Sequence, residues 1–92
     1  MKTRIVNLRK EKYDVYIGRP SQFGNPFEIG RDGTRSEVIE KYKVWFYERL
    51  ENPQYKNQVL QLKGKTLGCF CKPSACHGDI IVDYLDKEDK CI

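Results

Sequence analysis

The chain of 92 residues contains no apolar run approaching the ~20 residues that a membrane-spanning helix needs, which excludes a bilayer-embedded helical protein. Its first residues, Met1-Lys2-Thr3-Arg4-Ile5-Val6, lack the apolar core of a secretory signal peptide. The expected location is therefore the cytoplasm, where thiols stay reduced and disulfide staples are not expected. Internal repeats and low-complexity segments are both lacking, which excludes solenoid and linker architectures. Histidine, tryptophan and methionine occur once each. The two well-separated ligand pairs of common zinc folds are also missing.

What is there suits one small soluble domain. Hydrophobic residues make up 39% and charged residues 33%, enough for a modest core under a polar surface. The formal charge of +4 is compatible with nucleotides or nucleic acid and too small to demonstrate either. Thr3 to Leu8 reads as a strand. Tyr13, Val15 and Ile17 alternate with Asp14, Tyr16 and Gly18, marking a second strand that either pairs with the first as a hairpin or runs inside the sheet. A long loop follows, with Arg19-Pro20, Asn25-Pro26 and Asp32-Gly33 as turn signals and two aromatics, Phe23 and Phe27, that a plain surface connection does not need. Thr34-x-x-Glu37 is a capping box. It opens an amphipathic helix to about Glu51, with Val38, Ile39, Tyr42, Trp45, Phe46 and Leu50 on one face. Asn52-Pro53 starts a second, shorter helix, which Gly64 follows. Lys65 to Phe70 reads as a strand. Ile80, Ile81, Tyr84 and Leu85 give a final helix its apolar face, and residues 86–92 read as a charged, flexible tail. The expected fold is a single α/β domain over residues 1–92, a two-layer or three-layer sheet with covering helices in the order β-β-α-α-β-α.

The chemistry concentrates in Cys69-Phe70-Cys71-Lys72-Pro73-Ser74-Ala75-Cys76-His77-Gly78-Asp79, at a strand-to-helix junction where open α/β folds place their sites. Cys69, Cys71, Cys76 and His77 are candidate ligands for Zn²⁺, which takes thiolate and imidazole donors in tetrahedral arrays. Adjacent Cys76 and His77 count against this, because neighbours on a helix diverge by about 100°. Cys91 is then an alternative ligand. The same residues also suit a reactive thiol: Cys71 or Cys76 as nucleophile, His77 as base or proton donor. A third reading is that they are small buried cysteines with His77 bonding at the helix start. Independently of these, the helix N-terminus offers N–H groups to an anion. Gly78 admits a ligand close to the backbone. Arg19, Arg31, Arg35 or Lys72 supplies a cation, and Asp79 either complements the helix dipole, binds a ribose hydroxyl or acts as a base.

Three segments, Tyr16-Ile17-Gly18-Arg19-Pro20-Ser21-Gln22-Phe23-Gly24-Asn25-Pro26-Phe27, Asp32-Gly33-Thr34-Arg35-Ser36-Glu37-Val38-Ile39 and the Cys69–Asp79 segment, resemble a small family of phages and bacteria, the domain of unknown function 4326. The likeness runs from Val15 to about Leu85. It implies an intracellular stand-alone domain and a composite site at the motif positions. The reading is a domain that binds a nucleotide, nucleobase or nucleic-acid end at the Cys/His corner. Arg19 contacts phosphate, Phe23 stacks on a base and Asn25 bonds a base edge, with Ser21, Arg35, Lys72 and Gly78 also at the ligand. Cys71, Cys76, His77 and Asp79 carry any hydrolytic or base-modifying step. The competing reading is a non-catalytic, zinc-clipped adaptor for protein or nucleic acid.

Overall fold

Residues 3–19, 21–70 and 76–90 are described by the computed structural model. The elements are β1 (Arg4–Asn7), β2 (Val15–Tyr16), α1 (Arg35–Arg49), α2 (Pro53–Leu60), β3 (Thr66–Cys69) and α3 (Gly78–Lys90), in the expected order. The sheet runs β1-β3-β2, and both outer strands are parallel to β3. The first two strands therefore form no hairpin, and the second does not run inside the sheet. The last strand, the most buried of the three, takes the centre. Leu67 and Cys69 are fully buried there, as a strand flanked on both sides requires.

This topology sends residues 8–14 across β3 without a helix. Side chains alternate along a strand, so Leu67 and Cys69 face one side and Gly68 the other. On the Gly68 side a β-carbon would lie 2.6 Å from the Tyr13 ring. Glycine in mid-strand is what lets the crossover lie flat on the sheet. Tyr16 and Phe70 share this side, with their rings edge to face at 6.1 Å. The Leu67 side carries the core, where Ile17, Tyr42, Phe46, Val59, Ile81 and Leu85 pack into one cluster.

Local chemistry sets the helix starts. Thr34 Oγ1 accepts from the Glu37 N–H at 3.3 Å, and Glu37 Oε1 accepts from the Thr34 N–H at 2.9 Å, completing the capping box. Asn52 Oδ1 accepts from the Gln54 N–H at 2.9 Å, with Pro53 at the first helical position. Helix α1 buries Val38, Tyr42 and Phe46 and leaves Ile39, Trp45 and Leu50 half-buried. Arg49 lies over Trp45 and Tyr55, at 4.6 and 4.1 Å from the ring centres, and ties α1 to α2. Helix α3 begins at Gly78. It continues to Lys90, through much of the segment expected to fray.

Gly68→Ala should destabilise the protein by about 1–3 kcal/mol, the usual cost of forcing extra volume into a packed contact. Tyr13→Ala in the same background should recover most of the loss. Urea midpoints of the three variants test this, and an unchanged Gly68→Ala midpoint would show that the crossover does not lie on β3.

Candidate metal and ligand site

The carboxyl ends of β3 and β2 lie side by side, which is where ligands bind in open α/β sheets. Cys69 ends β3. Cys76 and His77 return to the same point just ahead of α3. The ligating atoms of Cys69, Cys76 and His77 lie within 4.8 Å of one another, and all three residues are buried. Cys76 Sγ and His77 Nδ1 are 3.7 Å apart. Tetrahedral zinc, with bonds of about 2.3 Å to sulfur and 2.0 Å to nitrogen, places such a pair about 3.5 Å apart. The three donors can hold a metal ion. The divergence expected of neighbours on a helix does not apply, because both residues precede the first turn of α3.

The histidine is fixed on both sides of its ring. Nε2 lies 2.7 Å from the Ile17 carbonyl oxygen. A carbonyl only accepts, so Nε2 carries the proton and the neutral ring turns an Nδ1 lone pair toward Cys76. Burial pushes the His77 pKa below its ordinary value, opposed by the Ile17 hydrogen bond and by Cys69. Metal-binding histidines commonly anchor their second nitrogen on a backbone carbonyl in this way. The Gly78 N–H points at Cys76 Sγ at 3.3 Å, a contact that favours thiolate. Tyr42 stands edge-on behind His77, with ring centres 5.0 Å apart. Its hydroxyl donates to the Phe23 carbonyl at 2.8 Å and is kept protonated by burial.

A cavity of about 540 Å³ opens over this cluster. Cys69, Cys76 and His77 line it together with Phe27, Val38 and Ile39, while Arg19, Arg35 and Phe70 bring charge and an exposed ring. Arg19 Nη1 pairs with Glu28 Oε1 at 3.0 Å, both side chains being about half exposed. The other expected residues have local duties. Asn25 borders the cavity, but its Oδ1 accepts from the Phe27 N–H at 2.9 Å and its Nδ2 donates to the Val38 carbonyl at 3.3 Å. Ser21 Oγ accepts from the Phe23 N–H at 3.3 Å. Phe23 is a core residue, 7% exposed and packed on Tyr55, so its ring is not presented to a base. Arg31 pairs with Asp32 at 2.9 Å, away from the cavity lining.

At the start of α3 the expected anion-binding donors are already engaged. Asp79 Oδ2 accepts from the Cys76 N–H at 3.1 Å, and the Asp79 and Ile80 N–H groups donate to the Cys76 and His77 carbonyls at 3.0 Å each. Asp79 acts as a cap there. Gly78 serves packing, since a β-carbon would lie 2.6 Å from Ile5 Cδ1 and 2.7 Å from Ile17 Cδ1. Cys71, Lys72 and Cys91 lie outside the described residues. Of the cavity residues, Glu28 and Ile29 lie outside the three motif segments and were missed by sequence reasoning, while Val38, Ile39 and Phe70 were covered only as motif positions without an assigned role there.

Comparison with known proteins agrees with the motif reading. The profile of the domain of unknown function DUF4326 matches residues 2–87. An uncharacterized 12.4 kDa protein of the nrdA-td intergenic region of Enterobacteria phage T4 is 42% identical over 91 residues, covering 94% of this chain and 82% of that one. An uncharacterized protein of Acanthamoeba polyphaga mimivirus is 30% identical over 87 residues, covering 75% of this chain and 64% of its own length. No solved structure matches. Among the described residues, no helix is long and apolar enough to cross a membrane.

The buried imidazole gives metal-free protein a specific acid sensitivity. Its folded pKa lies below the unfolded value of about 6.5, so the unfolded state binds the proton first as pH falls. The contribution of neutral His77 is complete above about pH 6.5 and is lost below it, at up to about 1.4 kcal/mol per pH unit. Chelator-treated protein should show this slope in urea midpoints as pH falls below about 6.5. His77→Gln should flatten it, and an equal slope in both proteins would rule out His77 as its source.

Proposed function

The chain belongs to the DUF4326 family, and from the geometry of its cavity we propose that it binds a nucleotide or nucleobase over a zinc ion held by Cys69, Cys76 and His77. The observation that carries this is the convergence of two thiols and an oriented imidazole, within 4.8 Å, at a cavity with arginines on its border. Three protein ligands lining a cavity are compatible with zinc sites that keep a position for water or substrate. The guanidinium of Arg19 is a planar fork suited to phosphate, and its ion pair with Glu28 is exposed enough to be exchanged. Arg35 offers a second cation, and the rings of Phe27 and Phe70 offer faces to a base. A zinc ion there supplies Lewis acidity, and the reaction class is hydrolysis or modification of the base or nucleotide.

A second reading, the zinc-clipped adaptor, is favoured by one observation. Cys69 and Cys76 are each 1% exposed and His77 6%, as in a structural metal site. Cys71, outside the described residues, was the expected fourth ligand.

Protein purified without a metal-binding tag should carry one zinc per chain, and Cys69→Ser, Cys76→Ser and His77→Ala should each lose it. Less than about a tenth of an equivalent in the parent protein rules out a tight site. Nucleotides at about a hundred times Kd should stabilise the folded protein by about 2.7 kcal/mol, and the double variant Arg19→Ala/Arg35→Ala should lose that gain. Chelation separates the two readings. A site built for substrate leaves a folded domain that no longer responds to nucleotide, whereas a structural clip unfolds.

A further inference from the structure

The turn that carries the chain from β1 toward β2 presents Arg9, Lys10 and Lys12, all exposed. Its acidic neighbours, Glu11 and Asp14, offset that charge only in part. Glu11 is drawn to Arg4 at 3.8 Å, and Asp14 Oδ2 accepts the Thr66 N–H at 2.8 Å. Among the described residues, Arg9, Lys10 and Lys12 engage no carboxylate. The Arg9 guanidinium lies 5.2 Å from the centre of the Phe70 ring. Phe70 is 52% exposed, and it also lines the cavity over the Cys/His cluster. Tyr13, 44% exposed, lies beside the same turn against Gly68.

These contacts lead from the cavity through Phe70 and Arg9 to a turn whose three cations engage no carboxylate among the described residues. Phe70 stands half-exposed at that junction, between the Arg9 guanidinium and the cavity. A basic strip interleaved with aromatic faces is how proteins follow the backbone and bases of an unpaired strand. We propose that the ligand is a nucleotide within a single-stranded nucleic acid: one nucleotide enters the cavity, the adjoining base stacks on Phe70, and the following phosphates run along Arg9, Lys10 and Lys12. This rests on the nucleotide reading of the cavity and extends it from a free nucleotide to a strand. The crossover over β3 then has a purpose beyond linking strands, since it sets a cationic turn beside the site.

The probe is a fluorescein-labelled oligothymidylate of about ten nucleotides, the scale of small single-strand sites. Its anisotropy is followed against the full chain, with thymidine monophosphate run in parallel by thermal shift. The oligonucleotide should bind at least tenfold tighter than the mononucleotide at low salt, as multiple phosphate contacts require. The triple variant Arg9→Ala/Lys10→Ala/Lys12→Ala should lose that advantage, and its log–log salt slope should fall by about 2. Its response to the mononucleotide should be unchanged. Phe70→Ala should weaken oligonucleotide binding roughly tenfold, in the range of one lost base stack. Poly-glutamate of similar charge should compete poorly.

Mononucleotide binding without a gain from the longer strand overturns this inference and leaves the nucleotide reading standing. A triple variant that binds the oligonucleotide like the parent, or poly-glutamate that competes as well as the oligonucleotide, overturns it too. Binding of neither mononucleotide nor oligonucleotide overturns both readings.

Discussion

The hydrogen bond from His77 Nε2 to the Ile17 carbonyl, 2.7 Å long, holds the site together. It joins the entry to α3 to the residue that follows β2. It also decides which imidazole nitrogen carries the proton, and so which one faces the thiols. A buried carbonyl at a strand end needs a donor, and a buried imidazole needs both its nitrogens accounted for. Each meets the other's requirement. The Tyr42 ring closes the remaining side of the imidazole, and the hydroxyl of that tyrosine satisfies the Phe23 carbonyl deep in the loop. One chain of contacts thus runs from β2 through His77 and Tyr42 into the loop that borders the cavity.

Close approach of backbones makes that bond reachable. Gly78 seats the first residue of α3 directly against Ile5 and Ile17, where any β-carbon would collide. Gly68 does the corresponding service on the opposite side of the sheet, under Tyr13. A sheet with strands of two to four residues has little area with which to hold helices apart or together. Thinness at two glycines compensates, letting α3 and the crossover grip the sheet from either side. The site sits where these grips and the strand ends coincide.

Much of this was legible in the sequence wherever the physics was local. The capping box at Thr34, the Asn52-Pro53 start and the apolar face of α1 depend on residues within one or two turns, and the structure reproduces them. The site was legible as a cluster, because Cys69, Cys76 and His77 lie within nine positions of one another. What failed was long-range. Strand order depends on which segment is most buried, and no local pattern announces that β3 separates β1 from β2. Phe23 was read as a ligand-facing aromatic because it lies in a loop, yet the loop folds inward and places it in the core. The objection to Cys76 and His77 rested on placing both inside the helix, whereas α3 begins only at Gly78.

The anion site needs a different physical basis from the one the sequence suggested. Helix starts bind phosphate when their N–H groups are free. At α3 the chain satisfies those groups itself, through the Asp79 carboxylate, the Cys76 thiol and the carbonyls of the preceding turn. At α1 the capping box does the same for Thr34 and Glu37. Positive charge at the cavity must therefore come from side chains. Arg19 is held by Glu28 in an exposed pair, of a kind worth at most about 1 kcal/mol. A phosphate that offers the same guanidinium a bidentate partner exchanges with such a carboxylate at little cost. The arrangement keeps the arginine oriented before a ligand arrives without binding it so firmly that it cannot turn.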